Sequence, residues 1–369
     1  MQVVARFLLA SVLLILGIVA SAQEVVWSVD FNSVFCNREG GDDMRPDQTF
    51  IFTRLSPEVG MSLKSDSTGT HLLKGGVTWF QPLNDNLEGC KVLPTLYYRF
   101  QSSQGWKVAV GTMPRSLLAE RLPRYLWSDS MSYHHPNVRG TIVQYRHGRS
   151  YGEFFLDWRQ MQTLRHREAF HVVFDGKCYP WATGGSWLGG YVQYNHLAKR
   201  KNAPAGEGVN DDLTLNPMLG HDWQWGAQGS NWLRLKAGAI VNVERARCDG
   251  KWLTASGVVG GAWLRWHFLD VEQNLYAGSD LFPLYGRFGS LLNLGDTYYR
   301  DNFYSRSDVT AHIVHNSVVD LSASLTFHAT SHITGLWQQL ACRVYIDNIF
   351  WKNRHNRSLM KKRRLQSNY

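Results

Sequence analysis

In the stretch NWLRLKAGAIVNVE, residues 231–244, Leu233, Leu235, Ala237, Ala239, Val241 and Val243 occupy every second position. Trp232, Arg234, Lys236, Gly238, Asn242 and Glu244 fall between them, and Ile240 is the one aliphatic residue in that polar series. A period of two places successive side chains on opposite sides of an extended chain, so the pattern predicts a β-strand with one apolar and one polar face. The same alternation returns in TLYYRFQ, GWKVAVGT, EFFLDWR, GAWLRWHF, VVDLSASLTFHA and LACRVYID, and almost no helical periodicity interrupts it.

The connections sort into two kinds. SSQG at 102–105, HGRS at 147–150, AQGS at 227–230 and HN at 315–316 are short and carry the Gly, Asn and Ser that tight hairpins need. The stretches 114–137, 199–215 and 279–304 are long and rich in Pro, Gly, Asn, Asp and aromatic residues. Short turns alternating with long loops fit an up-and-down barrel in an outer membrane. The expected fold is therefore all-β: an antiparallel transmembrane β-barrel of about 16 strands, with 12 to 16 compatible with the pattern. An exported β-sandwich remains the soluble alternative, because alternation alone does not distinguish lipid from core.

In a barrel the apolar faces meet hydrocarbon and the polar faces meet a hydrated lumen. The expected lumen-facing residues are Lys107, Glu153, Asp157, Arg159, Arg234, Lys236, Arg265 and His267. Charges lining a pore can select small polar solutes, or they can pair with one another and brace the interior. Trp106, Tyr151, Trp158, Trp187, Trp252 and Trp337 are expected at strand ends, as interfacial girdles.

Composition adds location. Residues 1–22 read as a cleaved signal peptide: Arg6, an apolar run from Phe7 to Ala20, then Ala20-Ser21-Ala22. The barrel is assigned to 23–351, and 352–369 to a flexible basic tail. That tail holds Lys352, Arg354, Arg357, Lys361, Lys362, Arg363 and Arg364 and no acid, so most of the formal net charge of +9 is terminal. An exported tail of this kind suits anionic lipid headgroups, and no nucleic-acid partner is expected. Beyond residue 22 no run approaches the roughly 20 apolar residues of a spanning helix. Five cysteines are widely spaced, with Cys36 and Cys90 the candidate pair if one forms.

The segments FNSVFCNREG, TFIFTRLSPEVGMSL, LDWRQMQTLRHREAF, GDTYYRDNFYSRSDV and QQLACRVYIDNIFW resemble uncharacterised, porin-like outer-membrane β-barrel proteins of the Bacteroidota. The likeness spans most of the mature chain and implies a signal peptide, an outer-membrane address and a barrel. It transfers no catalytic residue. The chain departs from the pattern in one respect: its expected closing strand ends near Phe350 and Trp351, and a basic tail follows.

Candidate chemistry is sparse. Fourteen histidines invite a metal, but no HExxH or Cys-partnered spacing is present. His166 with His171, and His312 with His315, are separated by odd numbers and should face opposite sides of a strand. Ser324 and His328 share a face with Asp320, yet no GxSxG elbow exists. No catalytic residue, metal or cofactor is assigned. The expected function is porin-like or channel-like passage of small polar solutes, with outer-membrane lipid as the surrounding partner and the oligomeric state open. The alternatives are a surface-exposed structural or glycan- or partner-binding barrel, and a barrel-embedded hydrolase.

Overall fold

The computed structural model describes residues 24–65, 69–83, 89–181, 183–226 and 229–348. The expected signal peptide and basic tail lie outside these residues. Sixteen strands follow one another: β1 Glu24–Glu39, β2 Gln48–Ser65, β3 Gly69–Pro82, β4 Lys91–Gln101, β5 Trp106–Pro114, β6 Asn137–His147, β7 Ser150–Gln160 and β8 Ala169–Cys178. The second half comprises β9 Ser186–Leu197, β10 Asn210–Trp225, β11 Asn231–Ala246, β12 Trp252–Trp266, β13 Leu269–Gly278, β14 Phe303–His315, β15 Val319–Thr330 and β16 Thr334–Asp347. Each strand pairs with its neighbours in sequence, and β1 closes antiparallel on β16, from Ser28 opposite Asp347 to Glu39 opposite Leu336. Closure leaves no sheet edge, so every strand can satisfy its backbone groups without water.

One end of the barrel carries short turns together with the start of β1 and the end of β16. The other carries the loops after the odd-numbered strands, and two of these are long: 115–136 and 279–302. We call these the turn end and the loop end. The predicted loop at 199–215 is shorter than expected, because β10 begins at Asn210.

The faces follow the alternation. On β11, Leu235 is exposed on the outside, while Asn242 and Glu244 are buried inside. Ile240, the aliphatic exception in the polar series, is buried against Tyr125, Leu281 and Phe282 of the two long loops.

The girdle expectation needs correction for three of six aromatics. Trp106, Trp158 and Trp252 are exposed on the outer face, but Tyr151, Trp187 and Trp337 point inward. Trp187 fits because its cross-strand partner is Gly220, where a Cβ would lie 2.3 Å from the indole. Its Nε1 donates to Asp222 at 3.1 Å. Trp337 packs on His328, with ring centroids 4.1 Å apart. An indole needs a polar partner for its N–H when it leaves the interface, and the lumen supplies one.

The expectation for His312 and His315 also fails. The β14–β15 register shifts between His312 and Val314, so Ile313 is an extra residue. A bulge of one residue returns the next odd position to the same face, and both imidazoles reach Asp320 from inside the barrel. The five cysteines are free thiols; Cys36 is buried and Cys90 exposed.

Candidate functional site

The lumen is filled at the loop end by the two long loops. The inner wall facing them is apolar: Ala109, Met113, Val138, Ile142, Phe155 and Val173 pack on Leu122, Trp127 and Met131 of loop 115–136. The Val, Leu, Ile, Phe and Met side chains among these each contribute on the order of 1.5–3 kcal/mol when fully buried. A short helix, Asp129–His134, starts at Ser128, whose side chain accepts from Met131 N. Asp129 then receives Arg306 Nη1 at 2.7 Å, Arg121 at 3.1 Å and Arg124 at 3.3 Å. Arg306 also grips Asp308 at 2.9 Å, and Arg124 reaches Glu272 at 3.1 Å. Arg124, Asp129, Arg306 and Asp308 are buried, and their mutual pairing makes that burial tolerable.

The loops are stitched to each other and to the wall. Ser128 N donates to Leu294 O and Asp296 N to Arg124 O, both at 2.8 Å. Glu244 accepts from Leu284 N at 2.6 Å and from Asn293 Nδ2 at 2.5 Å. Above them, Arg45 of loop 40–47 pairs with Asp301 at 2.8 Å and lies 4.6 Å over Tyr298.

Below the loops, a cavity of about 970 Å³ extends toward the turn end, lined by Ser28, Asp30, Arg234, Lys236, Arg265 and Arg343 among others. The predicted residues divide accordingly. Arg234, Lys236 and Arg265 line this cavity. Arg234 pairs with Asp222 at 2.8 Å and Arg265 Nε with Asp270 at 2.7 Å. Lys107, Glu153, Asp157 and Arg159 hold the loops instead. Lys107 donates to Leu117 O at 2.7 Å, and Glu153 accepts from Ala119 N at 2.9 Å. Asp157 pairs with Arg115, and Arg159 donates to Ser290 O at 3.1 Å. His267 lies in the tight turn between β12 and β13, exposed, with a positive φ of 56°.

Ser324 and His328 both face inward but form no nucleophile–base couple. Ser324 Oγ shares a hydrogen bond of 2.8 Å with Thr310, whereas His328 Nδ1 bonds Tyr304 at 2.8 Å.

The outer wall holds a second arrangement. At the loop end, one continuous cross-strand row runs Trp158, Phe170, His196, Asp211, Arg245 and Trp252, across β7 to β12. Trp158 and Phe170 have centroids 5.6 Å apart, and Phe170 stacks on His196 at 4.7 Å. His196 Nδ1 lies 2.9 Å from Asp211 Oδ1, which also accepts from Tyr194 OH at 2.7 Å. Arg247 Nε holds the other Asp211 oxygen at 2.7 Å. Among the described residues His196 Nε2 has no hydrogen-bond partner. The Arg245 guanidinium lies 4.8 Å over Trp252, its Nε buried and unpartnered among the described residues. Exposed Arg165, Lys199, Lys201 and Lys251 stand in the adjoining connections. Sequence reading missed this site, although a signal existed: Tyr194, His196 and Asp211 are polar at positions that alternation assigns to the apolar face.

A closed, sixteen-strand up-and-down barrel with an apolar exterior and charged interior defines an outer-membrane β-barrel protein. A family model described as Lipid A 3'-O-deacylase-type matches residues 19–343, and the chain belongs to that family. The family supports the expected Bacteroidota outer-membrane address. Solved barrels share the fold. Pseudomonas aeruginosa OccK2 (OpdF) has a TM-score of 0.55 at 10% identity, covering 89% of this chain and 99% of that chain. OccK8 (OprE) from the same organism gives 0.55 at 11% identity with the same coverage. A structure of OccK2 in complex with glucuronate gives 0.53 at 9% identity, covering 89% and 99%. No curated protein matches the chain in sequence.

Proposed function

We propose that this barrel hydrolyses an acyl ester of the anionic glycolipid in the outer leaflet, at the His196–Asp211 couple on its outer wall. The carrying observation is that couple's place: a lipid-facing His–Asp pair at the loop end, flanked by arginines, in a chain of a lipid A 3'-O-deacylase-type family. Short turns and long loops put the loop end at the outer leaflet, where the phosphates and ester-linked chains of such a lipid lie.

In this reading His196 Nε2 takes a proton from water as its oxygen bonds to the ester carbonyl carbon. The tetrahedral intermediate then collapses, the carbon–oxygen bond to the sugar breaks, and the sugar oxygen recovers the proton from the imidazolium. A fatty acid and a free hydroxyl result. Asp211 fixes the tautomer and offsets the imidazolium charge, as a carboxylate does for a catalytic histidine. Arg245 and Arg247 offer charge-assisted hydrogen bonds to phosphate. Incubation of the detergent-purified protein with lipid A, read by mass spectrometry, should show loss of one acyl chain. His196→Ala should stop it, and release unchanged in that variant overturns the assignment.

Passage of small polar solutes is the second reading, supported by the cavity lined by Arg234, Lys236 and Arg265. The glucuronate complex of OccK2, a barrel of the same fold, suggests small carboxylates as probes. Stepwise currents in planar bilayers would support it. A silent barrel leaves the lumen as a brace.

A further inference from the structure

The β14 bulge builds a cluster that neither the wall couple nor the loops use. His312, His315 and Asp320 each offer a ligand atom, all within 4.8 Å of one another. His312 Nδ1 lies 2.7 Å from Asp320 Oδ1, and His315 Nδ1 lies 2.8 Å from the same oxygen. We propose that this triad is a divalent transition-metal site, of zinc type, at the turn-end mouth of the lumen.

Three observations support it. The first is the bulge itself. In an unbulged strand of the same sequence His315 would point into lipid, and bulges concentrate where a side chain must be re-aimed. The second is the outer shell. His312 Nε2 faces Asp270 Oδ2 at 3.4 Å, and Arg265 Nε holds Asp270 at 2.7 Å. A metal-bound histidine commonly donates its remaining N–H to a carboxylate, which fixes its tautomer and raises its basicity. The third is access. Asp320, Asp270 and Arg265 line the cavity, so a fourth position can be filled by water from the lumen.

Two imidazole nitrogens and one carboxylate oxygen suit zinc and its neighbours better than calcium or magnesium, which prefer oxygen alone. On binding, the ion replaces the protons shared between Asp320 and the two imidazoles, which leave to solvent. The competing account is a structural ion pair, in which protonated imidazoles simply neutralise Asp270 and Asp320. It predicts no saturable metal uptake.

The test is zinc titration of the full-length protein in detergent, after chelator treatment, against a chromogenic competitor. One zinc ion per chain is expected at micromolar or tighter affinity, with proton release. His315→Ala should abolish that uptake. Asp270→Asn, which removes only the outer-shell negative charge, should weaken it about 10- to 100-fold. Heat-modifiable gel migration verifies that each variant is folded. Absence of stoichiometric uptake by the native chain, or equal uptake by folded His315→Ala, overturns the site. Cobalt(II) absorption gives an independent readout: a four-coordinate spectrum is expected, and a purely aqueous one counts against the proposal.

Discussion

Asp211 and Asp212 are consecutive residues with opposite surroundings. Asp211 faces outward, bonded to His196, Tyr194 and Arg247 at the edge of the lipid. Asp212 faces inward and is fully buried, receiving Asn195 Nδ2 at 2.7 Å within the network that holds loop 279–302. Their neighbours repeat the contrast, since His196 is outside and Asn195 inside. One pleat separates a carboxylate that holds an outward-facing histidine from one that helps anchor a loop. The outer face therefore carries the proposed chemistry, and the inner face supplies rigidity.

Substitutions on the two faces should separate these roles. The largest effect is expected outside: His196→Ala should lower acyl release on the order of 10²- to 10⁴-fold, the range for a general acid–base group, with unaltered heat-modifiable migration. Next comes Arg306→Met inside, which strips Asp129 and Asp308 of a buried partner. It should cost about 3–5 kcal/mol in thermal or denaturant unfolding. Comparable destabilisation by His196→Ala would break the contrast.

Smaller effects sharpen it. Arg247→Ala removes one exposed cation from the outer site and should weaken binding of a phosphorylated lipid by up to about 1 kcal/mol, with a flatter salt dependence in vesicle flotation. Ser324→Ala touches only the Thr310 hydroxyl, so turnover and stability should stay within about 0.5 kcal/mol of the native chain. A changed turnover would move the chemistry into the lumen.

The smallest effect concerns loop 40–47. The Arg45 side-chain hydrogen bonds hold the Asp42 carboxyl below its ordinary value of 3.8. Stability from that pairing is present above the ordinary value and is lost as pH falls through the lowered one. Amide protection in 40–47, taken relative to intrinsic exchange at each pH, should therefore be steady at neutral pH and fall only in strong acid.

Much of the barrel was legible in advance. Strand faces on β7, β11, β15 and β16 follow from alternation alone, because a pleat has no other way to place side chains. The inner aromatics were not legible. Trp187 turns inward because Gly220 on the adjacent strand makes room and Asp222 accepts its N–H, and both are pairings across a long sequence separation. Nor could spacing reveal that Glu153 and Asp157 clamp loop 115–136 instead of lining open water. That loop enters because the wall opposite it is apolar, a property contributed by several strands at one height.

The sequence by itself determined that this chain forms strands with one apolar and one polar face, since period and composition act residue by residue. Only the tertiary structure decided which residues became neighbours. Register set Phe170, His196, Asp211 and Arg245 side by side, and one extra residue in β14 turned His315 toward Asp320. Cross-strand register is a relation between distant segments, and a shift of one residue reverses every face that it touches.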